Sequence, residues 1–80
     1  MNDDILYKNL TIREEQVLNL LLRGHSNKSM ARIMSVTSHT IKAHLESIYR
    51  KFGVHNKVQA VIYAMVNRIG DLDNLLPESI

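Results

Sequence analysis

The chain has 80 residues, of which 45% are hydrophobic and 22% are charged, with a formal net charge of +2 and no cysteine. This composition is typical of one small folded domain, and it excludes disulfides and thiolate zinc sites. The acidic, polar start lacks a signal peptide pattern, and no apolar run approaches the roughly 18–20 residues that cross a bilayer, so we expect a cytoplasmic protein without a membrane partner.

The first predicted element is a helix that begins after Thr11. Thr11 and Glu14 have the spacing of a capping box, in which a hydroxyl and a carboxylate bind the free amides of a helix start. Gly24 suits the left-handed residue that closes a helix. An apolar stripe lies between them, formed by Val17, Leu18, Leu21 and Leu22. We assign residues 1–9 to an N-terminal tail and residues 10–69 to the domain.

A short helix from about Asn27 to Met34 and a longer helix between Thr37 and Gly53 are predicted next. A short helix, a tight turn and a longer helix make a helix-turn-helix arrangement. Ser26 or Asn27 would cap the short helix, and its predicted buried residues are Met30, Ala31, Ile33 and Met34. The core-facing stripe of the longer helix comprises Ile41, Leu45, Ile48, Tyr49 and Phe52, and its opposite side carries His39, Lys42, Ala43, Glu46 and Arg50.

The fourth predicted helix runs from about Asn56 to Ile69, with Gly70 as its stop. It is apolar around most of its circumference, so it must bury more than one side. We expect a C-terminal dimerisation helix, although a central position in the monomer is the alternative. The predicted dimer contacts are Val58, Ile62, Val66 and Ile69. Residues 70–80 form an acidic C-terminal tail, and the whole is predicted to be an all-α, four-helix domain.

Positive charge is concentrated in the middle of the chain. Residues 25–57 contain six lysines and arginines, a single acid, and all four histidines. This asymmetry indicates a polyanionic partner, with chance clustering on a solvated surface as the alternative.

These residues form a pattern that covers most of the chain. LTIREEQVLNLLLRGHSNKSMARIMSVTSHTIKAHLESIYRKFGVHNKVQAV resembles the LuxR-type, or GerE-like, helix-turn-helix domain of bacterial transcription regulators. The matching positions are Leu10, Thr11, Arg13, Glu14, Val17, Leu18, Gly24, Ser26, Asn27, Lys28, Ala31, Thr40, Lys42, His44, Lys51, Gly53, Val54, Asn56, Ala60 and Val61. Three departures are Ile12 for a common proline, Ser29 for the usual glutamate, and Lys57 for arginine.

The resemblance implies a sequence-specific regulator that binds double-stranded DNA as a homodimer, with the third helix in the major groove. It also implies a bacterial protein that is nucleoid-associated when bound. Because the motif begins within ten residues of Met1, the chain looks like the single-domain members of the family.

The resemblance places Lys42, Ala43 and Glu46 at positions that approach bases, and His39 shares their side of the helix. Lys42 would donate to guanine, Ala43 would contact a thymine methyl group, and Glu46 would accept from cytosine N4. The alternative for Glu46 is a surface ion pair with Lys42 or Arg50.

The predicted phosphate contacts are Lys28, Thr40, His44, Arg50, Lys51 and Lys57. Two of them have alternatives: His44 would serve equally as a packing residue, and Lys51 would pair internally with Glu14. Lys28 lies near a helix start, where the free amides already favour anions.

No catalytic residue, metal site or cofactor is predicted. The chain has no glycine-rich phosphate loop, and His39 and His44 miss the spacing that places two ligands on one helix face. The competing function is a protein-interaction module of the same fold that modulates a partner regulator, with weak or no DNA binding. Glu46, an acid on the proposed DNA-facing side, keeps that alternative open, as does activity only as a heterodimer.

Overall fold

The computed structural model describes residues 10–67, which form four α-helices. They are α1 (Ile12–Leu22), α2 (Asn27–Met34), α3 (Ser38–Phe52) and α4 (Lys57–Asn67). No strand occurs within this range, so the all-α prediction is confirmed. α3 packs against each of the other three helices, which makes it the central element of the fold.

Each helix begins at a side-chain cap. The cap oxygen accepts a hydrogen bond from the backbone N–H three residues later, at 3.1 Å for Thr11, 3.1 Å for Ser26, 3.0 Å for Thr37 and 2.9 Å for Asn56. The Glu14 carboxylate also accepts from the Thr11 N–H at 2.9 Å, which completes the predicted capping box. These caps satisfy amides that a helix start leaves unpaired, and they fix where each helix begins.

Two of the helix ends use the predicted glycines. At the end of α1, the His25 N–H donates to the Leu20 carbonyl at 3.1 Å and the Gly24 N–H donates to the Leu21 carbonyl at 2.9 Å. Gly24 has a φ of +90° and Gly53, after α3, has a φ of +73°. Both angles belong to the left-handed region, which glycine enters without the steric cost that a Cβ imposes.

The core lies between α3 and its three neighbours. It comprises Leu10, Val17, Leu18, Leu21, Met30, Ala31, Ile41, Leu45, Ile48, Phe52, Ala60 and Ala64. α4 contributes only the two alanines as buried residues, and their small side chains let its backbone approach α3 closely. The rings of Phe52 and Tyr63 stack with centroids 4.4 Å apart, which joins the last turn of α3 to α4.

One predicted core residue is exposed. Ile33 was expected on the buried side of α2, but its side chain is 50% exposed. It lines a groove between α1 and α2 together with Leu20 and Met34, because α2 turns only Met30 and Ala31 fully inward. The predicted tails, residues 1–9 and 70–80, and the predicted dimer contact Ile69 lie outside the described residues.

Candidate nucleic-acid interface

One side of α3 faces solvent along its whole length. We define the outer face of α3 as His39, Lys42, Ala43, Glu46 and Arg50, all of which are exposed. On the opposite side, Ile41, Leu45 and Ile48 are at most 2% exposed. The buried stripe therefore fixes the rotation of the helix, and the five predicted residues share one surface.

The outer face offers several kinds of contact. Lys42 and Arg50 supply donors and positive charge, Ala43 permits close approach, and Glu46 supplies acceptors. Within residues 10–67, no ion pair joins Glu46 to Lys42 or Arg50, so the structure does not contain the predicted alternative for this acid. The Glu46 carboxylate is available to a partner.

Tyr49 lies beside this face and is half-buried. Burial of the ring, together with the nearby charge of Glu46, raises the pKa of the Tyr49 phenol above its ordinary value of 10.0. A phenol is already neutral at physiological pH, and Tyr49 can donate its proton to a hydrogen-bond acceptor.

Three of the six residues predicted to contact phosphate lie near helix starts, whereas Arg50 and Lys51 lie in the last turn of α3. Lys28 is exposed in the first turn of α2, and Lys57 is the first residue of α4. Thr40 lies in the first turn of α3, where its hydroxyl is 2.9 Å from the hydroxyl of Thr37. His44 is half-buried in the middle of α3. Helix starts carry free amides and a partial positive charge, both of which attract anions.

Lys51 differs from the other predicted phosphate contacts, because the structure contains its internal alternative. Lys51 Nζ donates to Glu14 Oε1 at 2.7 Å. Ser47 Oγ, one turn earlier on α3, donates to Glu14 Oε2 at 2.6 Å. The Glu14 carboxylate therefore ties the start of α1 to α3 through two side chains.

This tie changes the acidity of Glu14. Burial by itself would raise the pKa of Glu14, but the hydrogen bonds from Lys51, Ser47 and Thr11 outweigh it and lower the pKa from 4.5 to about 2. Glu14 is 5% exposed and ionised, which a small domain tolerates because the charge has a cation and two further donors. Sequence reasoning missed Ser47. Its spacing of four from Lys51 places both side chains on one side of α3, but no pattern in the sequence indicates that Glu14 is their partner.

α4 exposes a surface of a different kind. We define the outer face of α4 as Val58, Ile62, Met65 and Val66, whose side chains are 43–75% exposed. Three of them are predicted dimer contacts. Their spacing places them on one side of the helix, opposite Ala60 and Ala64. An apolar stripe of this length on a monomer is typical of a surface that another protein covers.

Comparison with known proteins agrees with this architecture. Residues 8–64 match the family described as "Bacterial regulatory proteins, luxR family". The chain belongs to the LuxR family. The predicted resemblance is thereby confirmed, and the four helices are those of a LuxR-type helix-turn-helix domain.

The LuxR-family relatives are named as regulators. The chain is 42% identical over 55 residues to "Putative HTH-type transcriptional regulator YhjB" of Escherichia coli strain K12, which covers 69% of this chain and 28% of the relative. It is 39% identical over 64 residues to response regulator protein VraR of Staphylococcus aureus, which covers 80% of this chain and 31% of the relative. The chain thus spans less than a third of the length of these curated relatives.

Two further features of the described residues bear on function. Between residues 10 and 67, no cluster of three or more histidine, cysteine or acidic side chains has the geometry to hold a metal ion. No helix in that range is both long and apolar enough to cross a membrane.

Proposed function

We propose that this LuxR-family chain is a sequence-specific transcription regulator that binds DNA as a homodimer, with α3 in the major groove. The observation that carries the proposal is the outer face of α3, whose polar side chains project from a helix held by a fully buried stripe. The major groove of B-DNA admits a single α-helix, and its base edges present a distinct donor and acceptor pattern for each base pair. Such a regulator would act on the nucleoid, in the bacterial cytoplasm.

We assign base contacts to Lys42, Ala43, Glu46 and His39. Lys42 would donate to guanine O6 or N7, and Glu46 would accept from the amino group of cytosine. Ala43 would lie against a thymine methyl group, since a larger side chain would hold the helix away from the bases. His39, near the start of α3, would donate to a base edge or to the adjacent backbone.

Phosphate contacts would set the position of the domain on the duplex. Lys28, Thr40, His44, Arg50 and Lys57 remain our candidates, because each offers a donor on α2, α3 or α4. Lys51 is left out of this set, since its ammonium group already binds Glu14. Contacts of this kind strengthen binding to every sequence alike.

The homodimer would form through the outer face of α4. A single module of this size buries about 600–1,000 Å² against DNA, which is modest. Pairing two copies through Val58, Ile62 and Val66 would cover exposed apolar surface and double the DNA contact. Two-fold symmetry then implies an inverted-repeat site with half-sites about one helical turn apart.

Selection of bound sequences from a random DNA pool tests the proposal directly. We expect an inverted repeat to be enriched, and binding to that duplex to weaken steeply with salt, because phosphate contacts release counterions. If no common sequence is recovered and the affinity for DNA does not change with salt concentration, DNA recognition is contradicted.

A second candidate function is supported by one observation. Glu46 is exposed on the outer face of α3 without an ion pair inside the described part of the chain, and it would repel phosphate. A protein-interaction module that binds another regulator would use the same face with its mixed charges. Tight binding to a partner regulator, with no measurable DNA binding at low salt, would favour this alternative.

A further inference from the structure

Lys51 occupies a side of α3 that also carries predicted phosphate contacts. Thr40, His44, Ser47 and Lys51 follow one another at intervals of four, three and four residues, so they form one line along the helix. Thr40 and His44 are our candidates for the DNA backbone, whereas Ser47 and Lys51 bind Glu14. One line of side chains is therefore divided between DNA and the interior of the domain.

The Glu14 carboxylate competes for Lys51 with any phosphate. Both are anionic oxygen acceptors that an ammonium group binds by charge-assisted hydrogen bonds. Glu14 is preorganised, because the Thr11 N–H and the Ser47 hydroxyl hold its two oxygens in place. Removing Lys51 from it would leave a nearly buried carboxylate without its cation, which is costly.

Lys51 nevertheless lies close enough to solvent for that competition to matter. Its side chain is 32% exposed, whereas that of Glu14 is 6% exposed. The carboxylate is therefore fixed inside the domain, while the lysine stem runs along the surface and is long enough to turn outward.

We propose that Glu14 is a positioning residue for DNA binding: it keeps the Lys51 ammonium group within the domain and withholds one cationic contact from the DNA backbone. The proposal rests on the proposed function and deepens it. According to this proposal, the Glu14 carboxylate lowers the affinity of each protomer for DNA of any sequence. A purely stabilising carboxylate would have no such effect.

The test is the salt dependence of binding to one fixed duplex of arbitrary sequence, measured by fluorescence anisotropy with the full chain. In Glu14→Gln the ion pair is lost, and the neutral amide oxygen holds the Lys51 ammonium group more weakly than the carboxylate does, so Lys51 becomes free to bind phosphate. We expect tighter binding to this duplex at low salt, and a plot of log affinity against log salt that is steeper by about 0.9 per protomer, the value for one added phosphate contact.

Glu15→Gln is the matched control. It makes the same change in net charge on the neighbouring residue of α1, but within residues 10–67 Glu15 forms no hydrogen bond or ion pair with Lys51. Its salt slope should equal that of the wild type. The double variant Glu14→Gln with Lys51→Gln should also return to the wild-type slope, because the released cation is gone.

If Glu14→Gln does not fold, the salt slope of the single variant Lys51→Gln tests the proposal instead. We expect an unchanged slope, because Lys51 makes no DNA contact while Glu14 holds it. A slope shallower by about 0.9 would overturn the inference, since Lys51 would already be bound to phosphate. An unchanged slope in folded Glu14→Gln would overturn it as well. A wild-type chain without salt-dependent binding would overturn the proposed function and this inference together.

Discussion

The outer face of α3 is exposed and polar, whereas the outer face of α4 is exposed and apolar. Both helices pack against each other, and both present a full side to solvent. Water solvates lysine, arginine and glutamate well, but it does not stabilise exposed valine and isoleucine. The two faces therefore differ in chemistry in the way that the proposed function requires, with a polyanion as the proposed partner of α3 and another protein surface as that of α4.

The substitution for which we expect the greatest change lies on the apolar face, the outer face of α4. Ile62→Glu places a charge in the centre of the outer face of α4. We expect the dissociation constant of the dimer to increase on the order of 100-fold or more, because a buried unpaired charge is costly. The fold should persist, since Ile62 is 53% exposed. Sedimentation equilibrium measures the change.

Ile33→Glu is the matched control for that variant, because Ile33 is 50% exposed but lies on α2. It should leave the association constant unchanged. A wild-type chain that remains monomeric at every concentration, with or without DNA, would show that the outer face of α4 has another role.

The second prediction concerns the stability that the Glu14 carboxylate provides by joining α1 to α3. The pKa of Glu14 is about 2 in the folded chain against an ordinary 4.5, so its contribution to stability is present above pH 4.5 and is lost as the pH falls towards 2. The shift corresponds to roughly 3 kcal/mol in the free energy of unfolding. Urea unfolding at a series of pH values should show this loss in the wild type.

The same titration identifies the group responsible. Glu14→Gln should flatten the acid limb of the stability curve, whereas Glu15→Gln should leave it unchanged. If both variants retain the wild-type pH dependence, the tie between α1 and α3 does not govern acid unfolding.

A smaller effect would sharpen the assignment of the polar face. Lys42→Ala should reduce discrimination at a single base-pair position by about 1–3 kcal/mol, because one donor to a base edge is lost. Competition binding with single-base variants of the selected site measures it. Equal losses at all positions would place Lys42 on the backbone instead.

The smallest predicted effect is that of Lys28→Ala. It should weaken binding to all sequences alike and reduce the salt slope by about 0.9, without changing the preferred sequence. Salt titrations with the selected duplex and with an unrelated one provide the measurement. A loss confined to the selected duplex would be inconsistent with a phosphate contact.

Much of the fold was predictable because its signals are local. Thr11, Ser26 and Thr37 cap their helices as hydroxyl groups do before an apolar run, and Gly24 and Gly53 end α1 and α3. Each of these signals depends on a few neighbouring residues, so the chain itself carries the information. The outer face of α3 followed from the same periodicity, although its DNA contacts stay predictions.

The remaining features depend on packing between helices. In α4 nearly every position is apolar, so periodicity left open whether the predicted dimer contacts Val58 and Val66 lie on the surface or in the core, and packing on α3 places them on the surface. The pattern of α2 predicts Ile33 as a core residue, but the way in which α1 and α2 pack leaves a groove beside it. Ser47 binds a residue 33 positions away, and no local pattern reports such a contact.

In the proposed dimer, the stacked rings of Phe52 and Tyr63 would have a consequence for the spacing of DNA sites. They join the last turn of α3 to α4 at a centroid separation of 4.4 Å, and both rings pack in or against the core. In a dimer joined through α4, the angle between the two α3 helices would depend on how this aromatic pair orients α3 relative to α4. Operators with one inserted base pair at the centre would then be bound poorly, because rigid stacking leaves little rotation to compensate.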